Sequence, residues 1–215
     1  MSGVDFDRGF VRSSPSSPHA GGAVGRLGDI LASLAMLLFL APMLAAVMLA
    51  ILLLEHGPLF ASHPRIGRHG REFNCLRFRA ASAPVSDSRL DAFLGRGQGG
   101  LREAPSLTPL GRFLRLSGLD EAPQFLNVLR GDMSIVGPAP ISAADIARYG
   151  RRFGSYCSVR PGITGLWQLR GRGNPSFRRR VAMDVLYVRK RRASLDLAII
   201  LEAIPTAILR TEAQV

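Results

Sequence analysis

The chain has 215 residues, with 28 Lys and Arg against 16 Asp and Glu, a formal charge of +12 in which Lys190 is the sole lysine. A hydrophobic share of 47% excludes a disordered basic tail, and two cysteines, Cys75 and Cys157, exclude a disulfide framework. Neither cysteine belongs to a C-x-x-C pair, and none of His19, His56, His63 and His69 completes a zinc-site spacing, so a reducing, cytosol-facing chain with an anionic counterpart is expected.

Residues 1–27 read as a loose tail rich in Ser, Pro, Gly and Ala, without the apolar core of a secretory signal. Residues 30–54 carry no charge, well past the ~18 residues that mark a membrane candidate. The segment is apolar all round, unlike a surface helix with one wet face. Pro42 divides it into arms 30–41 and 43–54. Each arm is about 18 Å long, short of the ~30 Å hydrocarbon core. Both flanks are basic: Arg8, Arg12 and Arg26 precede the segment, and Arg65, Arg68 and Arg71 come after it. Because cytoplasmic flanks carry the Arg and Lys, two cytoplasmic ends and a re-entrant, monotopic hairpin hinged at Pro42 are expected.

Beyond it, residues 59–79 read as a β-hairpin around Arg68-His69-Gly70-Arg71, with Arg77 and Arg79 alternating onto one face. Residues 80–106 read as a loop with one short helix near 87–94. Thr108-Pro109 caps a helix whose inward residues are Leu110, Phe113 and Leu114, while Arg112 and Arg115 project elsewhere. Residues 120–130 read as a second helix stopped by Gly131, with Phe125, Leu126 and Leu129 inward. Ser142 and Asp145 form a capping box for a third helix through Ile146, Tyr149 and Phe153. The segment 160–173, with Trp167, reads as turns. Asn174-Pro175 caps a fourth helix with Phe177, Val181, Val185 and Val188 inward, ending in the basic run Arg189 to Arg192. A final apolar helix, 194–209, is broken at Pro205. The fold class is mainly α with a small β-hairpin (α+β). Its expected parts are a tail (1–27), a membrane helix (28–57) and a cytoplasmic domain with amphipathic interfacial helices (58–215).

The chemistry concentrates at Asp120-Glu121. At a helix start, unpaired N–H groups and the macrodipole favour negative charge and draw in phosphate. An ionised aspartate there can attack phosphorus and split one transfer into two steps. Adjacent helical residues do not face each other, so different roles are expected, one nucleophile and one metal ligand or orienter. On composition alone, acids that merely stabilise the helix start remain an alternative. Arg77 and Arg79 have the planar fork that suits phosphate oxygens, with exposed-strand decoration the competing reading. The runs 178–180 and 189–192 are read as solvated or headgroup-contacting faces. Nucleic acid is disfavoured: aromatics are 7% of the chain and Trp167 stands alone.

Leu119-Asp120-Glu121-Ala122-Pro123-Gln124, then Asn127-Val128-Leu129-Arg130-Gly131-Asp132-Met133-Ser134-Ile135-Val136-Gly137-Pro138, resembles the signature of the bacterial sugar transferase family, the monotopic phosphoglycosyl transferases. The similarity extends to Arg65-Ile66-Gly67, Arg77-Phe78-Arg79 and Arg160-Pro161-Gly162-Ile163-Thr164-Gly165-Leu166-Trp167-Gln168. It covers roughly residues 28–209 and is greatest to short primers of exopolysaccharide synthesis. The resemblance implies transfer of a sugar-1-phosphate from a UDP-sugar to undecaprenyl (polyprenyl) phosphate, releasing UMP. It implies Asp120 as nucleophile through an aspartyl-phosphosugar intermediate, Glu121 assisting, and Mg²⁺ at Asp120 and Glu121. It also implies a hinge at Pro42. Arg77, Arg79, Arg112 and Arg115 are the expected substrate phosphate contacts, with Arg79, Arg112 or Arg115 as substitutes for an arginine that the family carries and this chain lacks. Membrane lipids are expected partners, a homodimer is compatible, and the expected location is the cytoplasmic face of the bacterial inner membrane. Ala139 stands where the family carries the arginine of Gly-Pro-Arg-Pro. A catalytically impaired, membrane-bound assembly partner is therefore the alternative function, and a non-catalytic polyanion binder the third.

Overall fold

The computed structural model describes residues 22–54, 58–79, 108–170 and 176–208. The expected loop at 80–106 and its short helix, most of the tail, and the Asn174-Pro175 cap lie outside the described residues. Helix α1, Ala23–Leu54, runs without interruption through Pro42. It is long and apolar enough to cross a membrane. One stripe, Leu44, Val47 and Ile51, is buried, while Leu38 and Phe39 are 75% and 78% exposed and Leu53 is 69% exposed. Apolar side chains on the outward face have no stabilising environment in water, so the composition suits lipid contact.

Strands β1 (Phe60–Ile66) and β2 (Glu72–Phe78) form the expected antiparallel hairpin, with His63 opposite Cys75 and Ala61 opposite Arg77. The turn between them needs left-handed backbone at His69 and Gly70, with φ of 61° and 71°. Helix α2, Pro109–Ser117, starts as expected: the Thr108 hydroxyl accepts from the Gly111 N–H, and Gly118 closes the helix at φ 73°. Its inward face is corrected, because Leu114 is buried but Phe113 is 57% exposed.

The second expected helix does not begin at Asp120. Leu119–Glu121 is a 3-10 turn, and helix α3 spans Gln124–Arg130. Pro123 has no N–H to offer the Leu119 carbonyl, so Ala122 closes the tighter turn on it instead. The buried stripe of α3 is Gln124, Asn127 and Val128, with Phe125, Leu126 and Leu129 only half-buried.

Strand β3 (Ser134–Val136) pairs in parallel with β4 (Gly162–Thr164), and helix α6 (Leu166–Arg170) comes next; the expectation of turns at 160–173 is corrected there. A Cβ on Gly162 would lie 2.1 Å from the Gly137 nitrogen, and one on Gly165 would lie 2.1 Å from the Gly137 oxygen. These glycines are thus required for main chain to lie against main chain. The Ser142–Asp145 capping box forms, but Gly150, at φ 50°, divides the expected third helix into α4 (Ile146–Tyr149) and α5 (Phe153–Cys157). Helix α7 is Phe177–Lys190. Helix α8, Ala193–Ile208, continues through Pro205, contrary to the expected break.

One core cluster joins Leu44, Val47 and Ile51 of α1 to Phe78, Leu114 and Ala122. Full burial of an aliphatic side chain such as Ile51 is worth about 1.5–3 kcal/mol. Ala122 immediately follows the acidic pair, so the membrane-type helix packs directly beneath the Asp120-Glu121 turn. A second cluster gathers Ile66, Ile141, Tyr149, Tyr156, Phe177 and Val181 behind the hairpin.

Candidate active site

The acidic turn and the hairpin are held together by one amide. Asn127, fully buried on α3, donates from Nδ2 to the Asn74 carbonyl at 2.8 Å and accepts at Oδ1 from the Leu76 N–H at 2.9 Å. The side chain thereby acts as a short extra strand against β2, fixing the strand that carries Arg77 to the helix that follows Asp120 and Glu121. Buried polar groups left unmatched cost about 1–3 kcal/mol each, which makes this clamp specific in register.

Arg77 Nη2 donates to Glu121 Oε1 at 3.3 Å. Burial alone would lower the Arg77 pKa, but Glu121 and then Asp120 outweigh it, and the guanidinium is held more firmly charged. Asp120 is 3% exposed, whereas Glu121 and Arg77 are half-buried. Of the four arginines expected at substrate phosphates, Arg77 is therefore placed against the acids. Arg79 is half-buried at the end of β2, its N–H bonded to the Leu59 carbonyl. Arg112 is exposed and Arg115 half-buried on α2, the helix that leads into the acidic turn. Pro42 lies on the exposed side of α1.

Two further cations lie near this site. Arg65, 5% exposed on β1, has its pKa lowered by burial first and then by Arg77, with Arg180 adding to the effect. Arg180, read from sequence as part of a solvated or headgroup-contacting run, is fully buried. Its Nη2 donates to the Ala139 carbonyl at 3.1 Å, and its Nε lies 3.8 Å from Asp184 Oδ2. Tyr149 donates its hydroxyl to the same Asp184 carboxylate. Burial raises the Asp184 carboxyl to about 6, against the opposing pull of Arg180 and Tyr149. The strand alternation that sets Arg77 on one face also sets Ala61, His63 and Arg65 there, so Arg65 was discoverable from the sequence. The burial of Arg180 had no comparable local signal. His63 has its pKa lowered by burial first and then by Arg65 and Arg77, which disfavours the imidazolium.

Among the described residues no group of three or more His, Cys, Asp or Glu is placed to hold a metal ion. Asp120 and Glu121 offer two carboxylates, a donor set that fits Mg²⁺ when substrate phosphates and water complete the shell.

The acidic turn thus shares a core cluster with an apolar helix and is faced by a charged arginine. The family model described as bacterial sugar transferase matches residues 21–210, and the chain belongs to that family of enzymes. It is 36% identical over 198 residues to the exopolysaccharide production protein ExoY of Rhizobium meliloti, covering 88% of this chain and 87% of that one. It is 36% identical over 189 residues to the UDP-glucose:undecaprenyl-phosphate glucose-1-phosphate transferase of Caulobacter vibrioides, covering 84% of this chain and 68% of that protein. The undecaprenyl-phosphate galactose phosphotransferase of Salmonella typhimurium is 33% identical over 198 residues, 86% of this chain but 40% of the longer relative. The family resemblance drawn from the motifs is borne out.

Proposed function

We propose that the chain transfers a sugar-1-phosphate from a UDP-sugar to undecaprenyl phosphate at a membrane surface, priming a polysaccharide such as exopolysaccharide. The observation that carries the reading is the Asp120-Glu121 turn, faced by charged Arg77 and packed on α1 through Ala122. The activities in the names of the Caulobacter and Salmonella relatives support the choice of substrates.

The Asp120 carboxylate attacks the β-phosphorus of the donor. The bond from that phosphorus to the bridging oxygen breaks, and UMP leaves with the electron pair. An oxygen of the lipid phosphate then attacks the same phosphorus, and the Asp120 carboxylate departs unchanged, leaving a polyprenyl diphosphate sugar. Arg77 orients the diphosphate and offsets its charge through its guanidinium fork. Glu121 holds Arg77 in place and, with Asp120, would hold Mg²⁺. When bound, Mg²⁺ supplies charge neutralisation at the diphosphate.

The membrane arrangement rests on how α1 is gripped. Near its start, Arg26 Nη2 donates to the Leu129 carbonyl at 3.1 Å, and Asp29 accepts from the Ser134 hydroxyl at 2.8 Å and the Ile135 N–H at 3.2 Å. Near its end, Ile51 is fully buried beside Phe78 and Leu114. A straight crossing would part these ends by the ~30 Å hydrocarbon core, yet the same folded body holds both. This supports a monotopic arrangement with both ends on the cytoplasmic side of the inner membrane, Pro42 being the place where the helix lacks one backbone bond.

The test is UMP release by the purified chain with undecaprenyl phosphate and a panel of UDP-sugars. Asp120→Asn is expected to lower release by about 10³-fold or more, the scale on which loss of a covalent nucleophile is felt. Undiminished release overturns the assignment.

A further inference from the structure

Four arginines from separate segments approach one another at the far end of α3 from the acidic turn. Arg26 donates to the Leu129 carbonyl and Arg160 Nε donates to the Gly131 carbonyl at 2.9 Å. Gly131, at φ 99°, lets Arg26 Nη2 come within 3.5 Å of where its Cβ would be. Arg68 and Arg191 complete the group: burial first, then Arg26 and Arg68, and finally Arg191 lower the Arg160 pKa, with Asp29 opposing. Three buried guanidinium nitrogens here, Arg26 Nη1, Arg68 Nε and Arg191 Nε, have no hydrogen-bond acceptor.

Two carboxylates face these four cations and leave an excess of positive charge: Asp29 acts on Arg160, and Arg191 acts on Asp196 and on the Tyr187 hydroxyl. Asp29 also accepts from Ser134 and Ile135, and Asp196 from the Tyr187 hydroxyl. A buried donor without an acceptor costs about 1–3 kcal/mol, and clustered like charges add to that cost. A phosphate group, with several strong acceptor oxygens, would meet both demands.

The position selects the source of the phosphate. Arg26 lies in the first turn of α1, three residues before Asp29, and Arg191 lies two residues before α8. Both helices expose apolar side chains as they leave the cluster, Leu27 and Leu31 on α1 and Leu197 and Leu201 on α8. Acyl chains attached to a phosphate seated among the arginines would run along those faces. The basic run at the end of α7 thus divides: Arg189, Lys190 and Arg192 are exposed, and Arg191 alone turns inward.

We propose that Arg26, Arg68, Arg160 and Arg191 form a binding site for the phosphate of a membrane lipid, seated where α1 and α8 enter the bilayer. The site is separate from Asp120 and Glu121 and fixes the depth at which they meet the surface. The inference rests on the membrane placement proposed above.

The test compares the full chain with Arg68→Gln/Arg191→Gln, which leaves the two arginines bonded to α3 intact. Vesicle binding is measured on phosphatidylcholine vesicles containing phosphatidylglycerol or undecaprenyl phosphate, and lipid retention by native mass spectrometry. At ~1 kcal/mol per membrane-proximal arginine, the variant should bind about 10- to 30-fold more weakly. It should also lose one retained lipid per chain. Arg151→Gln/Arg152→Gln, an exposed pair outside the cluster, removes the same charge and should retain the lipid. Arg68→Gln alone serves where the double variant melts early. Retention of phosphatidylglycerol or of undecaprenyl phosphate through the cluster supports the site and says which lipid fills it. Equal retention in the cluster variant, equal loss in the control, or displacement by inorganic phosphate overturns it. Failure of the unsubstituted chain to bind any vesicle overturns the membrane placement instead, and UMP release reports separately on the reaction.

Discussion

Two arginine–carboxylate pairs show what burial does to the same chemistry. In Arg77–Glu121, the side chains are 22% and 23% exposed and meet at 3.3 Å. In Arg180–Asp184, they are 0% and 3% exposed and stand 3.8 Å apart. The first pair keeps contact with solvent, where the proposed diphosphate donor would meet it. The second is enclosed, and its partners are fixed: Tyr149 on the carboxylate and the Ala139 carbonyl on the guanidinium. A half-exposed pair can exchange its partner for a ligand at little cost, whereas a buried pair cannot, and so serves as framework.

The sharpest way to break this contrast is to remove one member of the enclosed pair. Arg180→Met should destabilise the protein by about 3–5 kcal/mol, because Asp184 is left buried without its cation. Thermal or denaturant unfolding measures this, and adding Asp184→Leu should return much of the loss. A change below about 1 kcal/mol in the single variant would make the two pairs equivalent. Glu121→Gln should do the reverse. Stability should shift by less than about 1 kcal/mol, as for a partly exposed ion pair, while UMP release falls by about 10²-fold.

The smallest expected effect concerns pH. The Asp184 carboxyl, at about 6, holds its proton more tightly in the folded state than at its ordinary value of 3.8. Between those values the native state binds more protons than the unfolded chain, so this group's contribution to stability falls as pH rises toward 6 and is flat above it. Asp184→Asn removes that slope, and melting temperatures at pH 5 and pH 7 should then differ less than in the unsubstituted chain.

The parts of the fold legible in the sequence are those set by a few neighbouring residues. Thr108 and Pro109 open α2, Gly131 stops α3, and the 68–71 turn closes the hairpin, all from local backbone chemistry. The β3–β4 pair was not legible, since three-residue strands offer no alternation to read and their pairing depends on glycines far apart in sequence. The candidate site divides in the same way. Asp120, Glu121 and Arg77 stand out by motif and alternation, but the Asn127 clamp and the enclosure of Arg180 depend on which distant groups complete their hydrogen bonds. Phe113 misled for a related reason: helical spacing marks it as inward, yet on α2 it is left exposed.

The contact of Gly137 with Gly162 and Gly165 has a consequence for the segment just beyond it. With no side chains between the two stretches, the path of 137–140 is dictated by peptide planes lying against each other. The Ala139 carbonyl is then tied down by Arg180, while its methyl group remains half-exposed. Such a loop is a fixed bracket with an interchangeable fitting: the residue at 139 can vary without redirecting the chain that presents it.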